Sequence, residues 1–219
     1  MTKDDDTKNQ DTQAFDLKSG STDAKTISAY YDKWASTYDE TLNSWNYRTP
    51  SDAAKLLAPE LEPGAFVLDV GCGTGLFGDA LARGGDFRIM GMDISRGSIE
   101  MAKSRWLYDG FIEHDLQNRP LPVLDNAMDA AACVGVLTYV EDAGALLQDI
   151  CRCVRPGGSV IFTQRTDRWE MLDFGKTVTA MEDADIWDVV KITDPMNYLP
   201  GHEDFGDEIK VHHVLCKVL

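Results

Sequence analysis

The sequence predicts a three-layer α/β protein, with helices on both faces of a mostly parallel sheet. Three observations predict it. Short apolar runs alternate with helix-like segments through the middle of the chain. The run Phe66-Val67-Leu68-Asp69-Val70 stops at glycines in alternate positions, Gly71, Gly73 and Gly75, and a helix-like segment from Leu76 to Arg83 follows. A second apolar run, Arg88 to Asp93, closes on a carboxylate 18 residues after Gly75, the distance expected for two parallel strands joined by one helix.

The glycine turn has a chemical reading. Glycine takes positive φ without penalty and lets a ligand approach the backbone, while the next helix offers unpaired N–H groups. A dinucleotide fingerprint, Gly-x-Gly-x-x-Gly, is not matched, because the third glycine comes one residue early. Asp93, at the edge of the second strand, can accept both hydroxyls of a ribose.

These residues resemble the class I S-adenosylmethionine-dependent methyltransferases. Leu68-Asp69-Val70-Gly71-Cys72-Gly73-Thr74-Gly75 is similar to their first motif, Asp93 to their second acidic position, and Arg155-Pro156-Gly157-Gly158 to the turn before their fifth strand. The resemblance covers roughly residues 27 to 165. It implies a Rossmann-like α-β-α sandwich with a seven-stranded sheet whose last strand is antiparallel. It also implies S-adenosylmethionine as cofactor and S-adenosylhomocysteine as product.

Along the chain, Met1 to Asp23 is polar and reads as a disordered tail. Residues 24–62 read as a helical lid and 63–219 as the methyltransferase domain. Tyr31, Trp34 and Tyr38 share one face of the first helix; in the family such a segment covers the cofactor. Tyr30 to Ala35, Tyr47-Arg48-Thr49-Pro50 and Thr163-Gln164-Arg165-Thr166 further resemble the methyltransferase-like protein 27 subgroup and its bacterial relatives. Pro50 opens a second helix running to about Ala58.

After Asp93, Ser95 caps a helix to Trp106, and Phe111-Ile112-Glu113 reads as a third strand. The resemblance places the methionine end of the cofactor on Asp69, Gly71, Cys72, Gly73, Gly75 and Leu76, and the adenine against Ile94, Asp115 and Leu116. Ala127 to Val136 has the continuous apolar character of a central parallel strand. In the family, its end at Val134 and Gly135 meets the methionine portion and the substrate. Asp142 caps a helix to Val154, and Gly157-Gly158 leads into the strand Ser159 to Gln164. Beyond it one helix over Trp169 to Glu182, a strand at Trp187 to Ile192 and a terminal strand are expected.

Composition narrows the function. Thirty-seven acidic against 21 basic residues give a formal charge of −16, a field that repels a phosphate backbone. Nucleic acid is therefore not expected as a partner, and a small neutral or cationic acceptor is favoured. No apolar run is long enough to span a bilayer and no signal-like segment is seen, so a cytoplasmic protein is expected. The five cysteines lack metal-like spacing and read as reduced; no metal is expected.

The expected function is methyl transfer to O, N or S of a small molecule. His202 and Tyr139 are candidates to take a proton, and Arg48, Gln164 and Arg165 candidates to contact the acceptor. A protein methyltransferase and a non-catalytic cofactor-binding regulator are the alternatives. The oligomeric state is left open.

Overall fold

The computed structural model describes residues 16–219. The tail expected over residues 1–23 therefore lies mostly outside the described residues. Its last part forms a turn at Leu17–Ser19 that leads into the first helix.

Eight strands form one sheet: β1 Phe66–Val70, β2 Arg88–Asp93, β3 Gly110–Glu113, β4 Met128–Cys133, β5 Val154–Arg165, β6 Trp187–Ile192, β7 Met196–Asn197 and β8 Lys210–Val218. Their order is β3-β2-β1-β4-β5-β8-β6, with the two-residue β7 paired to β8. β1 to β5 are parallel, and β8 runs antiparallel between β5 and β6. The last strand is antiparallel as expected, and β7 raises the count from seven to eight.

Alternation along the buried strands divides the core. Leu68, Val70, Ala131, Cys133, Val160 and Phe162 face one layer with Leu146, Leu147 and Ile150 of helix α5 (Ala143–Cys153). Val67, Ala130, Ala132 and Ile161 face the other, with Leu57 of α2 (Thr49–Leu57) and Leu81 of α3 (Leu76–Ala82). A third cluster joins Leu42 of α1 (Ala24–Ser44) to Tyr198, Leu199, Phe205, Ile209 and Val211. That cluster packs the C-terminal region on α1.

Local chemistry explains the departures from expectation. Helix α4 (Arg96–Lys103) begins at the Ser95 cap but stops before Trp106, whose φ is 57°. β4 ends at Cys133 because Gly135 turns left-handed, and Leu137–Tyr139 forms a 3-10 turn. The single helix expected over Trp169 to Glu182 is two, α6 (Thr166–Met171) and α7 (Phe174–Asp183), broken at Asp173 with φ 48°. Among the described residues, no helix is long and apolar enough to cross a membrane and no cluster of three His, Cys, Asp or Glu side chains could hold a metal.

Candidate cofactor and acceptor cavity

In a parallel sheet the carboxyl ends of the strands open onto a crevice, and here the crevice is a cavity of about 120 Å³. The β1 end contributes Gly71 and Gly73. The β2 end contributes Asp93 and Ile94, the loop after β3 contributes Asp115 and Leu116, and the β4 end Val134 and Gly135. Tyr31, Trp34 and Tyr38 of α1 and Tyr139 of the 3-10 turn close it from above. The strand order thus sets the order of groups across the cavity: acids at the β2–β3 end, Gly135 at the β4 end.

The glycine loop is shaped by φ values of +71° at Gly71, +52° at Gly73 and +89° at Gly75. At Gly71 a Cβ would lie 2.2 Å from Val136 Cγ2, so the strand end has no room for a side chain. At Gly73 a Cβ would meet nothing within 4 Å, because that position looks into open space. The Asp93 carboxylate accepts from Gly73 N through one oxygen and from Ser95 N through the other, both at 2.8 Å. Each oxygen keeps a lone pair for a ligand hydroxyl. Burial raises the Asp93 pKa, against the lowering effect of these backbone donors.

This loop does not suit a phosphate. Gly71 N and Cys72 N donate to Met92 O at 2.7 and 2.9 Å, Gly73 N to Asp93, and Gly75 N to Cys72 O at 2.9 Å. Those four amides are already used, and among the described residues no Lys or Arg side chain lines the cavity. A carboxylate with spare lone pairs, open space at Gly73 and apolar walls at Ile94 and Leu116 fit an uncharged nucleoside.

Other expected site residues lie beside this cavity rather than in its lining. Asp69, Cys72 and Leu76 line an adjoining pocket that shares Tyr38, Tyr47, Gly71, Gly73 and Val134 with it. Asp69 points behind the loop, where Tyr108 Oη donates to it at 2.7 Å and burial pushes its carboxyl up to about 7. Cys72 is buried, and burial holds its thiol protonated. Gly75 caps α3, and Leu76 packs on the third core cluster.

His202 lies outside the cavity lining. Its ring packs on Trp45 at 4.4 Å and Phe205 at 5.0 Å, and its Nδ1 accepts from Asp204 N at 3.1 Å. Arg48 is exposed at the start of α2, because the turn before Pro50 directs it outward. Gln164 is buried with its Oε1 on Arg165 N. Arg165, only 3% exposed, pairs with Asp167 and donates to Leu17 O at 3.1 Å and Lys18 O at 2.8 Å. Its guanidinium pins the segment before α1, whose Leu17 lines the cavity.

Residues not singled out from the sequence complete the site. Asp32 and Asp39 latch α1: Asp32 Oδ1 accepts from Ser95 Oγ and Gly97 N, and Asp39 accepts from Thr74 Oγ1 and pairs with Arg105. A signal existed in the repeated Tyr-Asp of Tyr31-Asp32 and Tyr38-Asp39, seven apart and hence on one helical face. Tyr47 and Tyr198 share a hydrogen bond, their rings perpendicular at 5.5 Å, and a Cβ at Gly135 would lie 2.7 Å from Tyr47 Oη. Tyr198 carried no local signal, because the 196–199 segment reaches the cavity only through β8 pairing.

Comparison with known proteins agrees with this geometry. A family model described as "Methyltransferase domain" matches residues 68–162. The human methyltransferase-like protein 27 is 32% identical over 166 residues, 73% of this chain and 67% of that protein. A malonyl-[acyl-carrier protein] O-methyltransferase from Serratia marcescens is 31% identical over 54% of this chain and 48% of its own length. The chain thus spans from about half to two thirds of these relatives. A solved TehB-like S-adenosylmethionine-dependent methyltransferase from Corynebacterium glutamicum superposes with a TM-score of 0.63 at 19% identity, covering 87% of this chain and 99% of that one. With the glycine loop, the ribose-type carboxylate and this relationship together, the chain belongs to the class I S-adenosylmethionine-dependent methyltransferases.

Proposed function

We propose that the chain methylates a small molecule, at O, N or S, and takes neither nucleic acid nor protein as acceptor. The observation that carries this reading is the cover of the cavity: Tyr31, Trp34 and Tyr38 of a latched α1 and Leu17 of the preceding turn close the side on which a polymer would have to lie.

In this reading Asp93 holds the ribose, Ile94 and Leu116 sandwich the adenine, Asp115 lies at its amino edge, and Gly71 and Gly73 make room for the methionine end. The cofactor supplies an electrophilic methyl group on a sulfonium. The chain's own task is to align the acceptor with that methyl group and exclude water, which the aromatic cover and apolar walls serve. Five free, buried cysteines support a reducing compartment such as the cytoplasm.

Calorimetric titration with S-adenosylmethionine, S-adenosylhomocysteine and NAD tests the site, with Asp93→Ala as control. Micromolar binding of both sulfur ligands, lost in the variant and absent for NAD, is expected. No heat from either with folded protein refutes the reading.

A further inference from the structure

The acceptor end of the cavity is unusual in what surrounds it. Tyr31, Trp34, Tyr47, Tyr139 and Tyr198 converge there from α1, the α1–α2 turn, the 3-10 turn and the segment after β7. Ring pairs stand nearly perpendicular, Tyr31 to Tyr139 at 82° and 5.9 Å and Tyr47 to Tyr198 at 89° and 5.5 Å, so that faces and edges alternate around the space. Among the described residues, the lining contains no Lys, Arg, His or Cys.

The titratable groups exclude most acceptors. Asp93 and Asp115 are the acids of the lining. They sit beyond β2 and β3, two or three strands from β4, which at roughly 4.8 Å per strand is about 10 Å or more from Gly135. Burial raises the phenol pKa values of Tyr31, Tyr47, Tyr139 and Tyr198, which keeps them protonated. Arg165, which lies behind Tyr139 and Tyr198, is neutralised by Asp167.

An alcohol or thiol must lose a proton to become a nucleophile, and nothing at this end takes it. A carboxylate needs no base, but burying one without a cation is costly. A neutral amine needs neither base nor counter-cation, and aromatic faces attract the positive charge it acquires. The overall charge of −16 draws the ammonium form toward the protein, and its proton is lost to solvent before the amine enters the cavity.

We propose that the acceptor is a small amine, which reacts as the neutral base and leaves as a methylated ammonium ion held against these aromatic faces. The inference rests on the methyl-transfer reading above. The nitrogen lone pair forms the bond to the methyl carbon, the carbon–sulfur bond breaks with its electron pair left on sulfur, and no proton moves in the step. One positive charge is present before and after, displaced by two bonds within the same aromatic wall.

The test uses the full chain saturated with S-adenosylhomocysteine and titrated with choline or with 3,3-dimethyl-1-butanol, which has the same shape without the charge. Choline is expected to bind about tenfold more tightly. Tyr47→Phe should keep that ratio, because the ring remains, and Tyr47→Leu should lower it. Equal binding of the two probes, binding of neither, or loss of the ratio in Tyr47→Phe overturns the proposal, and the wild-type ratio decides even if Tyr47→Leu fails to fold. Failure to bind S-adenosylhomocysteine instead removes the methyl-transfer reading itself. As a chemical check, label transferred from methyl-labelled cofactor to a small-molecule extract should be retained on a cation exchanger at neutral pH; label that passes through overturns the amine assignment alone.

Discussion

Asp32 of α1 accepts a hydrogen bond from the backbone N of Gly97, at the first turn of α4, at 2.8 Å. The same oxygen accepts from Ser95 Oγ at 2.7 Å, while Ser95 N donates to Asp93. One carboxylate thus ties α1 to the end of β2, which carries Asp93. Asp32→Ala removes an acceptor from a helix N-terminus, a loss of about 1 kcal/mol. Amide exchange in α1 is expected to accelerate and S-adenosylhomocysteine affinity to fall several-fold. Unchanged exchange would mean that aromatic packing alone holds α1.

Two neighbouring glycines should respond differently to alanine. Gly71→Ala drives a Cβ to 2.2 Å from Val136, and loss of the folded state or a large drop in Tm is expected. Gly73→Ala costs about 1–2 kcal/mol for the left-handed backbone, but its methyl points into the cavity. Cofactor affinity should therefore fall out of proportion to Tm, as paired calorimetry and melting experiments would reveal.

Asp69 gives a pH dependence of defined sign. Its folded carboxyl is raised to about 7 from 3.8, first by burial, then by the Asp93 charge, against the lowering effect of Tyr108. Between these values the unfolded chain has lost a proton that the folded chain keeps, so stability falls as pH rises toward 7. Asp69→Asn keeps an acceptor for Tyr108 and removes the titration. Relative to wild type, its stability should improve between about pH 4 and pH 8 by on the order of 4 kcal/mol. Urea melts across that range check this, and a constant difference would contradict it.

His202→Ala tests the placement of the imidazole outside the cavity. Losing its packing on Trp45 and Phe205 should lower Tm by several degrees. S-adenosylhomocysteine affinity is expected to stay within about twofold. A large loss of methyl-transfer rate with cofactor affinity unchanged would return His202 to a role in proton transfer.

Arg165→Ala leaves the carbonyls of Leu17 and Lys18 without their donor. The turn before α1 should become protease-sensitive at a rate that S-adenosylhomocysteine no longer suppresses, as limited proteolysis with and without ligand would show. Arg165→Lys, which lacks the fork needed to reach two carbonyls and Asp167 together, should rescue only partly.

Much of the fold was legible because its signals are local. β1 and β4 are buried on both faces and therefore read as continuous apolar runs. The alternating glycines were readable because three left-handed residues in five leave no other economical choice. The aromatic face of α1 pointed to a covering role, although Asp32 and Asp39, which fasten α1, were visible only as a repeat without an assigned role.

The acceptor end was less legible for a physical reason. Whether His202, Gln164, Arg165 or Tyr198 meets the cavity depends on how β8 inserts between β5 and β6 and folds the 196–209 segment back over α1. Long-range pairing of that kind leaves no periodicity at the residue concerned. The amino-acid sequence alone determined the layer architecture and the glycine turn, since strand burial and backbone sterics are properties of a few adjacent residues, and its family resemblance carried the cofactor type. Only the tertiary structure decided which side chains surround the acceptor, since side-chain direction and burial there are set by segments more than a hundred residues apart in the chain.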